Sequence, residues 1–159
     1  MKNIPVSRTW TIHSSKKIIP IEFFSDDEIF AMDSWIKKKI KENEKRASYH
    51  KRYYLLFKVL IYKGASIDEA LMIRHIDVIL DINTIDIITL KQKKSSIRII
   101  PLHMNLKDSI MAYFVEFKID PKSQEKIFLM KRQAVDLYFK RMHKDLGFMI
   151  HAHKFRHTF

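Results

Sequence analysis

The sequence predicts an α+β fold, mainly α-helical with a small three-stranded antiparallel sheet. Three observations carry that expectation. Apolar residues recur at helical spacing on both sides of a central β-branched stretch that runs from Asp77 to Leu102. Only two glycines and four prolines punctuate 159 residues, too few for a many-turned β protein. An apolar content of 47% is enough to fill one core, so a single domain over 21–159 is expected behind a basic arm or linker over 1–20.

The arm carries Arg8, Lys16 and Lys17 with two prolines and no sustained period. At Ser25 the pattern changes. "SDDE" has the form of a capping box, Ser25 to Glu28, and Ile29, Phe30, Met32, Trp35, Ile36 and Ile40 follow at helical spacing. "SYHKRYYLLFKVLIY" predicts a second helix that is apolar nearly all round, and hence central, until Gly64 breaks it. "SIDEALMIR" opens with another capping box, Ser66 to Glu69, and predicts a short third helix to about Arg74.

Residue types then become β-branched. "DVILD", "TIDIITL" and "SIRIIPL" predict three strands, with Asn83 turning the first into the second and "KQKKSS" the second into the third. Helices resume through "LKDSIMAYFVEFK", with Asn105 the expected cap, and through "RQAVDLYFKRMHKDLG", where Gly147 is the expected stop. The closing nonapeptide "HAHKFRHTF" reads as the first turns of a last helix.

The absence of cysteine excludes disulfide scaffolds and thiol chemistry, and suits a reducing compartment. The N-terminus lacks the apolar core of a signal peptide. The most apolar run, "YYLLFKVLIY", contains Lys58 and is too short to span a bilayer, so a soluble, cytoplasmic protein without membrane partners is expected. Thirty Lys plus Arg against eighteen Asp plus Glu leave a formal charge of +12, the footprint of a polyanion binder. A lysine-rich surface of no specific purpose is the plainer alternative.

Two stretches concentrate groups that could carry chemistry. In "HAHKFRH" the imidazoles of His151, His153 and His157 permit a metal site by spacing, but Lys154 and Arg156 place cations among them and no HExxH glutamate is present. His153, three residues before Arg156, instead sets an adjustable proton donor beside a fixed bidentate cation. That pair suits the oxygens of a phosphodiester and stabilises charge in phosphoryl transfer. The second stretch, "LKQKKSSIRIIPL", puts Lys91, Lys93 and Lys94 at a hairpin turn. Lysines there are commonly just solvated, yet a hairpin tip can also enter a groove and offer a phosphate contact or a proton.

In order along the chain, these pieces resemble the catalytic domain of the tyrosine recombinases, the phage integrase family. "FFSDDEIFAMDSWIKK" resembles its opening helix, "GASIDEALMIRHIDV" its "GLRISELLALRWSDI" segment, "KKSSIRIIPL" its hairpin ending in Pro-Leu, and "HKFRHTF" its "HxLRHTF" box. The resemblance implies DNA breakage and rejoining through a phosphotyrosyl link, with duplex DNA as partner, assembly of several protomers on it, and neither cofactor nor divalent metal. It implies catalytic roles for Lys93, His153 and Arg156, and DNA contacts from Lys91, Lys94, Arg98, Lys154 and His157. It also implies that a separate core-binding domain reads the site, for which residues 1–20 are too short.

The sequence departs from the family pattern twice. The family's first arginine aligns with Ser66, whose hydroxyl cannot stand in for a guanidinium, a change that in other phosphoryl transfers costs ~10³ to 10⁵ in rate. The family's nucleophilic tyrosine lies some tens of residues past the "HTF" box, and this sequence stops at Phe159. The expectation is a recombinase-like chain that is inactive as it stands, its tyrosine owed to a missing C-terminal segment or to another protomer. A degenerate homologue that binds DNA as a regulator, and a basic helical protein that binds RNA, are the alternative readings.

Overall fold

The computed structural model describes the backbone of residues 9–14, 17–89 and 96–158, and the side chains of residues 23–89, 96–152 and 154–156. Its first elements differ from the expected arm: β1, Thr9–Ser14, pairs antiparallel with β2, Lys17–Glu22, with Trp10 opposite Ile21 and Ile12 opposite Ile19. "TWTIHS" and "KIIPIE" are rich in β-branched residues. Pro20, which donates no hydrogen bond, is tolerated because each strand of a lone pair has a free edge.

Helix α1, Asp26–Glu42, begins where expected, with both bonds of the Ser25–Glu28 capping box in place and three acids in the first turn. It packs on α2, Ala47–Lys63, through Met32 and Ile36. Helix α2 buries Tyr53, Leu55, Leu56, Phe57, Val59 and Leu60. At about 1.5–3 kcal/mol for each large apolar side chain removed from water, this helix is the main contributor to the core. It stops at Gly64, whose φ of 59° is costly for any residue with a Cβ.

Helix α3, Ile67–Leu71, is shorter than the sequence suggests. The chain leaves it to pair with a distant loop: His75 donates its N–H to the Glu125 carbonyl at 2.9 Å, and Ile127 donates to the Ile73 carbonyl at 2.9 Å. Those bonds satisfy backbone groups that a longer helix would have satisfied internally.

The three-stranded sheet follows as expected, in the order β3, Val78–Ile79, β4, Thr84–Thr89, and β5, Ser96–Pro101, with both pairings antiparallel. Asn83 turns the chain between β3 and β4 at a φ of 54°. Strand β4 alternates, with Ile85 and Ile87 fully buried. Edge strand β5 turns Ile97 and Ile99 outward, 66% and 69% exposed, which leaves Arg98 and Ile100 on the face shared with the core.

Helix α4, Met104–Glu116, is capped by His103, whose Nδ1 accepts the Asn105 N–H at 3.1 Å, where Asn105 itself is the cap expected from sequence. Helix α5, Arg132–Leu146, ends at Gly147 with a φ of 84°, as expected. The last helix, α6, Ala152–Thr158, lies against α2 and β2. Among the described residues no helix is long and apolar enough to cross a membrane.

Phe155 fixes α6. Its ring is fully buried against Phe24 and Phe139, each with centroids 4.9 Å away, and Phe57 at 6.2 Å. Phe155→Ala should lower the unfolding free energy by about 3–5 kcal/mol in urea titration. A loss under ~1 kcal/mol would mean that α6 is not part of the cooperative core.

Candidate phosphate-binding site

The site is assembled by two short helices and an edge strand. Ser66, in extended conformation, caps α3: its hydroxyl accepts the Glu69 N–H at 3.1 Å, and Glu69 Oε1 accepts the Ser66 N–H at 3.1 Å. This reciprocal pair turns the Glu69 carboxylate back over the head of α3, where it is 1% exposed. A carboxylate so far from water requires cationic partners.

Two arginines supply them. Arg98 Nη2, from the inward face of β5, donates to Glu69 Oε1 at 3.3 Å, and Arg156 Nη1, from α6, donates to the same oxygen at 3.1 Å. Both contacts exceed the 2.7–2.9 Å expected of optimal charge-assisted hydrogen bonds, and each engages one nitrogen of a five-donor group. The Arg98 side chain is 37% exposed and that of Arg156 18%, so neither guanidinium is sealed inside as the Glu69 carboxylate is.

The start of α6 is set by His151, whose Nδ1 lies 3.3 Å from the Lys154 N–H, the position of an N-cap acceptor. Lys154 differs from its expected role as a DNA contact. It is 7% exposed, donates from Nζ to the Met149 carbonyl at 3.2 Å, lies 3.9 Å from Glu28 Oε1, and sits over the Phe24 ring at 4.8 Å. The amphipathic stem and the paired charge are used inside the protein, where they hold α6 against the head of α1. The two cations of "HKFRH" are therefore divided between the glutamates of the two capping boxes, Lys154 to Glu28 and Arg156 to Glu69.

Of the other expected site residues, Lys91, Lys93 and Lys94 lie outside the described residues, as do the side chains of His153 and His157. His153 and His157 are backbone members of α6 with Arg156. The residue that sequence reasoning missed is Glu69, read there as a helix cap alone. No local signal marked it, since its cations come from 29 and 87 residues away; a capping glutamate can bond its own helix and still serve as a counter-ion.

The six tyrosines lie in the helical layer, four on α2, one on α4 and one on α5. Tyr53 stacks on Tyr138 with centroids 3.8 Å apart, and burial raises the Tyr53 phenol to about 12. Burial also raises Tyr138 and Tyr113, and Tyr54, which donates to Asp33 at 2.7 Å, is raised by burial and by that bond. Tyr62 stacks on His103, and Tyr49 packs against Tyr53 and His50. Phenols held above the ordinary tyrosine value are poor nucleophiles at neutral pH.

The helices and the β3-β4-β5 sheet thus meet at two arginines on one buried carboxylate. The model of the phage integrase family matches residues 36–159, and the chain belongs to that family. Among solved structures it is similar to the crystal structure of XerA recombinase, at 19% identity and a TM-score of 0.61 over 85% of this chain. It spans about half of that protein, 47% of its length. No curated protein matches the chain.

Lys154→Ala should lower stability by about 1–3 kcal/mol, because Glu28 and the Met149 carbonyl lose a buried partner. An unchanged urea midpoint would show that the amine is not held inside.

Proposed function

We infer that this chain binds duplex DNA through its phosphate backbone and forms the charge-stabilising half of a recombinase active site. The observation that carries this reading is the meeting of Arg98 and Arg156 on Glu69, in a family that acts on DNA and in a protein of formal charge +12. Arg156 grips the scissile phosphate. His153, one turn earlier on α6, donates a hydrogen bond or proton to it, and Lys93 protonates the departing oxygen. Lys91, Lys94 and His157 position the backbone on either side. Lys154, already engaged inside, takes no part in DNA contact.

The attacking hydroxyl in an assembled complex comes from none of the six tyrosines of residues 1–159, whose rings are engaged within the helical layer. A continuation of the chain or another protomer on the same DNA supplies it. This polypeptide therefore binds without cutting. Ser66 favours a second reading, a DNA-binding homologue that regulates or competes rather than recombines, since the serine caps α3 where the resemblance expects the family's first arginine.

Residues 1–159 should bind a short duplex with an affinity that falls steeply with salt, and bind single-stranded RNA more weakly. Binding that prefers RNA, or ignores salt, contradicts the reading. Incubated with a nicked duplex that traps phosphotyrosyl links, the protein should give no adduct on a denaturing gel. A covalent band would identify one of the six tyrosines as a nucleophile after all.

A further inference from the structure

We propose that Arg98 is the second arm of the phosphate clamp, gripping the same phosphate as Arg156 rather than a neighbouring one. The proposal rests on the phosphate-binding reading above and goes beyond it, because a flanking backbone contact requires only that Arg98 be near DNA.

The balance of charges separates this pair from the other arginines beside α3. Arg74 is matched one to one, donating from Nε and Nη2 to Asp77 at 3.2 and 2.9 Å. Arg132 is matched one to two, donating to Asp68 at 2.8 Å and Asp136 at 3.2 Å. Arg98 and Arg156 share one carboxylate, and among the described residues no other carboxylate pairs with either. Two fixed cations around one buried anion leave a surplus positive charge in a partly desolvated position, where an added anion is attracted more strongly than at an open surface.

Geometry supports a shared ligand. Both contacts end on Glu69 Oε1, so the two guanidinium nitrogens are no farther apart than those contacts laid end to end, about 6.4 Å from 3.3 and 3.1 Å. Those two nitrogens are taken by Glu69, and guanidiniums held so close can turn their other nitrogens to one phosphate through charge-assisted hydrogen bonds of about 2.8 Å. Arg98 Nε is shielded from solvent and has no hydrogen-bond partner among the described residues, a donor left over after Glu69 is satisfied. The β-strand period adds direction: Arg98 and Ile100 face inward while Ile97 and Ile99 face out, so the guanidinium is delivered to the carboxylate by the sheet and not by chance of a flexible loop.

The test is the affinity of the 1–159 polypeptide for a fluorescent duplex across a salt series, with Arg98→Met, Arg156→Met and the double variant, each first shown to keep its helical circular dichroism. Each single change should weaken binding about tenfold. If the two arms hold one phosphate, losing the second should cost little once the first is gone. The double variant should then fall well short of the hundredfold expected of independent contacts.

Ser66→Arg places a guanidinium on the residue whose N–H already bonds Glu69, and should restore most of the affinity lost in Arg98→Met. Losses that multiply, or an Arg98→Met variant with wild-type affinity and salt slope, would overturn the shared clamp while leaving DNA binding intact. Absence of duplex binding by the unmodified protein would instead remove the phosphate-binding reading and this proposal with it.

Discussion

The candidate site depends on one buried carboxylate. Glu69 is 1% exposed, and among the described residues its Oε1 accepts the Ser66 N–H and one nitrogen each from Arg98 and Arg156. An unpaired carboxylate at that depth would cost several kcal/mol. Burial therefore forces the two arginines to converge, and their convergence is what makes an anion site. The carboxylate in turn offsets the repulsion between the two arginines, so helix cap, counter-ion and clamp are a single electrostatic arrangement.

The rest of the fold serves to bring those three side chains together. Helix α2 forms the core against which α1, α4 and α6 pack, and its stop at Gly64 sets where α3 begins. Strand β4 buries Ile85 and Ile87 beneath the sheet and carries β5, whose pleat aims Arg98 at Glu69. Helix α6 is too short to be stable alone. It is held by Phe155 in an aromatic cluster and by Lys154 reaching toward Glu28, and those anchors orient Arg156, one residue after the first and two after the second.

Much of this was legible in the sequence, for identifiable reasons. Capping boxes, glycine stops and apolar periodicity are local signals, and the helices and strands they predict are present. The sheet emerged because β-branched residues cluster between Asp77 and Leu102. Elements that depend on distant partners were harder to read. The end of α3 is fixed by a loop some fifty residues away, and the pairing of β1 with β2 was obscured by a proline and a run of charge. At the site, the box that carries Arg156 was evident from its motif. The burial of Lys154 and the second role of Glu69 were not, because sequence gives charges without saying which face inward.

The measurement that bears most directly on this account is the duplex affinity of Glu69→Gln. Glutamine can keep the capping bond to Ser66 while removing the negative charge. If Glu69 only offsets surface charge, its neutralisation raises the net positive charge and should tighten DNA binding. If the carboxylate is what draws Arg98 and Arg156 to one point, the arginines separate and binding weakens despite the added charge. The account predicts weaker binding with a folded, helical variant; tighter binding would contradict it.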